Sequence, residues 1–383
     1  MIYIGNIYKI PIDNFGNQMR IMHITEALGG GVLNVIHQLT SMQSRDNHEV
    51  ILVHSIRSDT PPKKELAELF PPLIRRFVIP METSISPLKD LRGIAHIVRI
   101  IKSTKPDIIH LHSSKAGVLG RVACSITGRS RSCFYTPHGF SFLRKDLSSR
   151  KRTIFSLIER LSSYFGGTTI ACSQSELDHA IESAGQKKSV LVENSIPLNL
   201  VTESIGNGDI CQITSSGRLC NQKNPSAFRE LAIELAKEPA TFLWIGDGEL
   251  KHELMVGGTF PKNISSTGWL SREKVAEHLH HSDIFVMTSL WEGMPLGLIE
   301  AQASGLPAVV FNIEGCNDVV IDGTTGFVCQ DISEMQDKIR LLVNNSALRK
   351  QMGATARTLA LQRFSQDRMH HEIIETYNKH NTH

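Results

Sequence analysis

The sequence predicts an α/β protein made of two doubly wound, Rossmann-like parallel-sheet domains that face each other across a cleft. Three observations carry that expectation. Short β-branched runs alternate with longer amphipathic stretches along the chain. The alternation breaks once, in a polar, glycine-bearing segment, and then restarts. A length of 383 residues also exceeds what one small hydrophobic core organises.

The first series places strands over 20–25, 49–54, 107–112, 133–136, 168–172 and 189–193, with helices over 31–43, 88–104, 115–127, 150–164 and 174–184 between them. Strand followed by helix, repeated, is the pattern of βαβ units covered on both faces. Segment 194–209 carries IPLNLV and then ESIGNGD, which suits an interdomain linker. The second series places strands over 210–216, 240–245, 264–267, 284–288, 308–311 and 326–329, and helices over 225–238, 251–256, 271–280, 295–303 and 332–344. A closing helix over 366–378 has no strand after it and is expected to pack across the junction. The division is therefore an extension at 1–18, a first domain at 19–198, a second at 199–365, and a helix at 366–383 that crosses back. The extension rests on Met19, a second methionine at the start of the first clear strand, RIMHIT.

Hydrophobic residues make up 41% and charged residues 21%, the proportions of a globular chain. The seven cysteines form no C-x-x-C pair and read as reduced thiols of a cytosolic protein rather than metal ligands. No stretch reaches the roughly 18–20 apolar residues of a membrane span, and the N-terminus lacks a signal peptide's basic start and apolar stretch. A cytoplasmic location is expected. The net charge of +3 conceals +9 in residues 1–195 and −6 in the remainder. A basic front half suits an anionic partner such as a phospholipid surface or a phosphorylated lipid; no nucleic-acid partner is expected.

Four features fall where strand ends should meet the cleft. Gly29-Gly30-Gly31 follows the first strand, where glycines let backbone N–H groups approach a phosphate at a helix start. It is not G-x-G-x-x-G, and no acid closes the second strand, which disfavours a nicotinamide cofactor. Gly217-Arg218 ends the first strand of the second domain, with Lys223-Asn224 five residues on. Two cations on one loop can hold two phosphates and stabilise a leaving diphosphate. In the run Glu292 to Glu300, EGMPLGLIE, Pro295 suits a first helical turn, and the helix start favours an anion. The two carboxylates, about two turns apart, can share one side and accept bonds from sugar and ribose hydroxyls. Lastly, Thr136-Pro137-His138-Gly139-Phe140 aims one histidine from a strand end, while His110 and His112 receive no role among seventeen histidines.

With these residues in place, the chain resembles the GT-B-fold retaining glycosyltransferases of family 4 (glycosyl transferases group 1), from about residue 20 to the closing helix. The E-x7-E element at Glu292 and Glu300 and the GR…KN element at Arg218 and Lys223 carry the likeness. GGG at 29–31, PHG at 137–139, ACSQSE at 171–176, ENSIP at 193–197, IGDGE at 245–249 and GTTGF at 323–327 support it. The resemblance implies that Arg218 and Lys223 hold the donor diphosphate and that Glu300 binds the ribose. Glu292, with the backbone of Met294, Pro295 and Leu296, would hold the transferred sugar. His138 would stand beside the sugar and the reacting phosphate, and Gly30 or Gly31 would approach the β-phosphate. Gly246 belongs to the donor side, and the backbone at Trp269 and Leu270 would meet the base.

The resemblance further implies transfer with retention, no cofactor and no metal; no D-x-D motif is present. HSSKAG at 112–117 and TPHGF at 136–140 resemble the exopolysaccharide, capsule and O-antigen branch. That branch implies a UDP-sugar donor, N-acetylhexosamine or hexose, and a polyprenyl-diphosphate-linked glycan acceptor. Segment 144–165 clusters Arg144, Lys145, Arg150, Lys151 and Arg152 beside Ile154, Leu157, Ile158 and Leu161, as a peripheral contact with the inner face of an anionic plasma membrane would require. Two alternatives stay open at this point: a UDP-N-acetylglucosamine 2-epimerase of the same fold, which lacks the E-x7-E loop, and a non-catalytic sugar-nucleotide-binding homologue.

Overall fold

The computed structural model describes residues 18–82, 84–208 and 210–381, so all but the last residue of the expected extension at 1–18 lies outside the described residues. The first half runs β1 (Arg20–Thr25), α1 (Gly30–Arg45), β2 (Glu49–His54), α2 (Lys63–Leu69), β3 (Arg75–Val78), α3 (Pro87–Thr104), β4 (Ile108–His112), α4 (Ser114–Ile126), β5 (Cys133–Thr136), α5 (Ser149–Ser162), β6 (Thr168–Ala171), α6 (Gln174–Glu182) and β7 (Ser189–Leu191). The second runs β8 (Cys211–Ser216), α7 (Pro225–Glu234), β9 (Ala240–Ile245), β10 (Ile264–Ser266), α8 (Arg272–His280), β11 (Ile284–Met287), α9 (Leu296–Ala303), β12 (Ala308–Phe311), β13 (Gly326–Cys329), α10 (Ile332–Asn344), α11 (Ser346–Arg363) and α12 (Gln366–Asn381).

These strands form two parallel sheets, ordered β3-β2-β1-β4-β5-β6-β7 and β10-β9-β8-β11-β12-β13. The doubly wound expectation is met in both halves. In each sheet the strand order reverses once, between β1 and β4 and between β8 and β11, which opens a crevice beyond the carboxyl ends of those strands. Helices on both faces bury the central strands; every residue of β4 and β11 is buried.

Three elements escaped the sequence reading. β3, Arg75-Arg76-Phe77-Val78, is an exposed edge strand with no buried residue, so it lacks an apolar run. α2 buries only Leu66 and shows no stripe. α11 buries Met352, Gly353, Ala356 and Ala360, mostly small residues that give little hydrophobic contrast. Conversely, the helix expected over 251–256 is one 3-10 turn, Lys251–Leu254. α7 stops at Glu234 rather than 238, because Pro239 disfavours the helical conformation just before it.

The largest apolar cluster joins the halves: Ile21, Val35 and Phe134 of the first share it with Phe285, Leu296 and Ile313 of the second. α12 feeds Met369, Ile373, Ile374 and Tyr377 into the same cluster and reaches β4, where the Tyr377 hydroxyl lies 2.7 Å from His110 Nδ1. On its other side His370 Nε2 meets Asp46 at 2.6 Å, beyond the end of α1. The seven cysteines are free thiols. Among the described residues no helix is long and apolar enough to cross a membrane.

Small residues let α11 lie directly on the turn after α9, where a Cβ at Gly353 would stand 2.0 Å from the Gly305 carbonyl oxygen. Gly353→Val is expected to destabilise the fold by about 1–3 kcal/mol through overpacking, read as a lower urea midpoint, whereas replacing exposed Lys350 on the same helix leaves it unchanged.

Candidate active site

The first-half wall of the crevice is built by the loops after β1, β4 and β5. Gly30 adopts φ +53°, and a Cβ on Gly30 or Gly31 would meet nothing within 4 Å, so the start of α1 faces open space. After β5, His138 and Gly139 both take positive φ, +55° and +92°. That conformation is unfavourable for histidine and persists only when its surroundings hold it. Glu176 does so: its buried carboxylate accepts from the Gly139 N–H at 2.6 Å and from the Cys172 N–H at 2.7 Å. Burial raises its pKa, against the lowering effect of these two backbone bonds.

The opposite wall comes from the loops after β8, β9, β10 and β11. Gly217 puts Arg218 at the end of β8, where its guanidinium meets Glu249 at 3.1 Å and, across the crevice, Asp59 at 3.5 Å. Lys223 meets Glu292 at 2.6 Å, and the Gln222 amide holds the other Glu292 oxygen at 3.3 Å. Burial works to lower the Lys223 pKa, but the charge and hydrogen bond of Glu292 outweigh it and raise the ammonium above its ordinary value, so the lysine stays charged. Glu300 is held by Arg272 of α8 at 2.5 Å. The two acids of E-x7-E therefore do not lie on one helical face. Glu292 precedes the helix, Pro295 takes the N-cap position, and each carboxylate has its own cation.

Between them the Met294 and Leu296 side chains are buried in the core, and the Met294 carbonyl accepts from Asn194 at 3.0 Å. This leaves the backbone of 294–296, with the unpaired N–H groups that begin any helix, as what that turn can offer a ligand. Gly246 packs on the Gly217 backbone, where a Cβ would stand 2.1 Å from the Gly217 oxygen, and it bridges to Gly268. Trp269 is 66% exposed next to it, while Leu270 packs against the core.

The halves meet backbone to backbone. A Cβ at Gly293 would lie 2.7 Å from Gly139 N and 2.9 Å from the His138 carbonyl carbon. Asp318 accepts from Ser175 N and Oγ at 3.1 and 2.7 Å and also from Gly315 N at 3.0 Å, and His179 faces Glu314 at 3.7 Å. The structure thus brings His138, Lys223, Glu292 and the helix start of α9 to one place, with Arg218 alongside. The sequence reading missed Asp59, Glu176, Gln222, Arg272 and Asp318 as partners in it. Only Glu176, inside ACSQSE, carried a signal; the others are ordinary polar residues of loops and helix starts.

Two facing parallel sheets, with paired cations and acids at the β8/β11 reversal, fit a protein of the glycosyl-transfer class. Comparison with known proteins agrees: residues 29–200 match Glycosyltransferase Family 4 and residues 211–345 match Glycosyl transferases group 1. The chain belongs to the family-4 glycosyltransferases, as the residues that carry the resemblance imply, and it is a glycosyltransferase. It is 32% identical over 296 residues to the UDP-Gal:alpha-D-GlcNAc-diphosphoundecaprenol alpha-1,3-galactosyltransferase of Escherichia coli, covering 70% of this chain and 74% of that one. It is 26% identical over 332 residues to the capsular polysaccharide biosynthesis glycosyltransferase CapM of Staphylococcus aureus, covering 79% and 84%. The fold matches HepE of Anabaena, solved with UDP and glucose, at a TM-score of 0.77, 19% identity and coverage of 94% and 100%. The GT-B expectation is thereby met.

The His179–Glu314 contact gives the junction a pH window. Glu314, 3.7 Å away, raises the His179 pKa above 6.5, and His179 in turn lowers that carboxyl to about 2. The histidine contribution is full below pH 6.5 and fades as pH rises through the raised value. The glutamate contribution is full above pH 4.5 and fades as pH falls through about 2. Both are present between pH 4.5 and 6.5. The stability lost in His179→Gln should be largest near pH 5.5 and vanish toward pH 9, read as the difference in thermal midpoint from the parent protein.

Proposed function

We propose that the enzyme transfers a sugar, N-acetylhexosamine or hexose, from a UDP-sugar to a polyprenyl-diphosphate-linked glycan in surface polysaccharide synthesis, with retention and without a metal. The observation that carries the reading is the cation and acid set at the β8/β11 reversal: Lys223 and Glu292 at 2.6 Å beside the start of α9, with Arg218 one loop away. Arg218 and Lys223 would take the diphosphate, the role a divalent cation serves elsewhere. Glu300 would take the ribose hydroxyls in exchange for part of its bond to Arg272. Glu292 and the backbone of 294–296 would hold the sugar, His138 would stand over the reacting centre, and Trp269 would lie near the base.

In this reading the leaving phosphate draws the proton from the acceptor hydroxyl on the same face as bond formation. No second carboxylate is needed for a glycosyl-enzyme intermediate. The acceptor class rests on the Escherichia coli relative, whose name specifies a diphosphoundecaprenol-linked substrate. The donor class rests on that same name and on the UDP bound to the Anabaena neighbour.

A surface on α5 supports peripheral membrane contact. Ile154, Leu157 and Leu161 are each about half exposed, continued by Tyr164 at 83% and Phe165 at 41%. Phe155, Glu159 and Ser162 occupy the core side instead. Arg150 and Lys151 are exposed beside that stripe, and Arg144, paired with Asp146, and Lys145 precede it. Such a stripe can enter the headgroup region while the cations meet anionic lipid.

Arg218→Gln is expected to lower kcat/KM for the donor by about 10²–10³-fold, with activity insensitive to EDTA in both proteins. Inverted anomeric configuration of the product by NMR would rule out the retaining mechanism. Exchanging Arg144, Lys145, Arg150, Lys151 and Arg152 for glutamine should abolish co-sedimentation with anionic phospholipid vesicles; unchanged binding would remove the membrane contact.

A further inference from the structure

Behind His138 lies a buried row of imidazoles that neither the donor contacts nor the packing explains. β1 and β4 pair in register with His23 opposite His110, and His112 lies two residues on, so all three rings share one face of the sheet. Strands buried on both sides ordinarily carry branched apolar residues there. Here His23, His110 and His112 are all fully buried.

A neutral imidazole has one donor nitrogen and one acceptor nitrogen, so a buried row is tolerated when each ring passes a hydrogen bond to the next. These do. Gln43 Oε1 lies 2.8 Å from His23 Nε2, His23 Nδ1 lies 2.9 Å from His112 Nε2, and His112 Nδ1 lies 3.0 Å from His138 Nε2. The rings stack in succession, with centroids 5.2 Å apart at both steps. His110 forms a side branch, with Nδ1 on the Tyr377 hydroxyl and Nε2 on Thr136 Oγ1 at 2.9 Å.

Burial lowers the pKa of every ring, to about 4 for His23 and His138, so the row is neutral near pH 7. A neutral row has only two proton arrangements, and its far end selects between them. That end is Gln43, whose carbonyl oxygen faces His23 and can only accept. Its side chain also lies against the Tyr377 hydroxyl, although its amide nitrogen makes no hydrogen bond of ordinary length. His23 must then donate from Nε2 and accept at Nδ1, His112 does the same, and His138 carries its proton on Nε2.

We propose that Gln43, His23 and His112 are positioning residues that hold His138 as the Nε2–H tautomer, leaving its Nδ1 to accept a hydrogen bond from a hydroxyl of the bound sugar. This rests on the reading that His138 stands at the donor sugar. With the opposite polarity His138 would present only an N–H and could not accept. The same three sheet histidines bring ring nitrogens within 4.8 Å of one another, a spacing that could hold a metal ion. All six of their nitrogens are already engaged in hydrogen bonds, which favours the relay.

The test is two-bond 1H–15N correlation NMR of the full-length protein labelled at histidine, with His138 assigned by its loss in His138→Gln. The parent protein is expected to show His138 as one neutral tautomer protonated at Nε2. Gln43→Met, close in volume and two rings distant, should turn it into a mixture of tautomers and lower kcat/KM for the donor by about tenfold. Gln43→Glu keeps an acceptor oxygen and should preserve the tautomer. His112→Phe should free the His138 tautomer in the same way.

A mixed or Nδ1-protonated His138 in the parent protein overturns the relay, as does an unchanged tautomer in folded Gln43→Met. Stoichiometric metal that co-purifies and is lost in His112→Phe overturns it too. Full activity in His138→Ala would instead overturn the donor-side reading, and with it the acceptor role, while the tautomer itself is read independently of turnover.

Discussion

The site depends on a contact that has no side chain in it. Where the loop after β5 meets the loop after β11, Gly139 and Gly293 touch through their backbones, leaving no room for a Cβ on Gly293. Everything of chemical interest hangs from the two ends of that contact. His138 is the residue before Gly139, and Glu292 is the residue before Gly293. A larger residue at Gly293 would move the histidine and the carboxylate apart, and a third glycine, Gly315, packs on the Gly293 carbonyl and keeps the loop from bowing away. Positive φ at His138 is the local cost of the close approach, and the buried Glu176 carboxylate holds it in place.

Around this fixed point the structure keeps its ionic groups paired. Lys223 with Glu292, Arg272 with Glu300, and Arg218 between Glu249 and Asp59 place a carboxylate against each cation assigned to the donor or its ribose. A half-buried cation without a partner would be expensive, and so would the acid that faces it. Pairing fixes both side chains in useful rotamers before any ligand arrives, which is the sense in which such a site is pre-organised.

The fold was legible in the sequence because both sheets are parallel and covered on both faces. Strands such as β2, β9 and β11 then appear as apolar runs, and the amphipathic stretches between them as helices. Where that contrast fails the reading failed as well: at the edge strand β3, with two arginines in four residues, and at α11, which packs through Gly353 and alanines. The site was legible where backbone demands and charge coincide in one short stretch, as in EGMPLGLIE or TPHGF. Asp59 and Asp318 were not, because their roles arise from the meeting of two halves and no local pattern encodes that. His110 and His112 were visible as letters, but their meaning lies in the register of β1 against β4, which places His23 beside them.

The bond between Arg218 and Asp59 bears on how an anion enters and leaves. On the proposed assignment of Arg218 to the donor diphosphate, an arriving diphosphate would find an exchange site rather than an empty positive hole, and it would have to displace a tethered carboxylate. Chloride and lone monoanions would gain little from that exchange, whereas a ligand with two adjacent phosphates would outbid a single carboxylate by engaging Lys223 as well. As the spent nucleotide loosened, Asp59 would be at hand to reclaim the guanidinium, so departure would be assisted from within the protein. In that role the crevice would work as a built-in counter-ion exchanger, selective for multiply charged cargo and self-clearing once the chemistry is done.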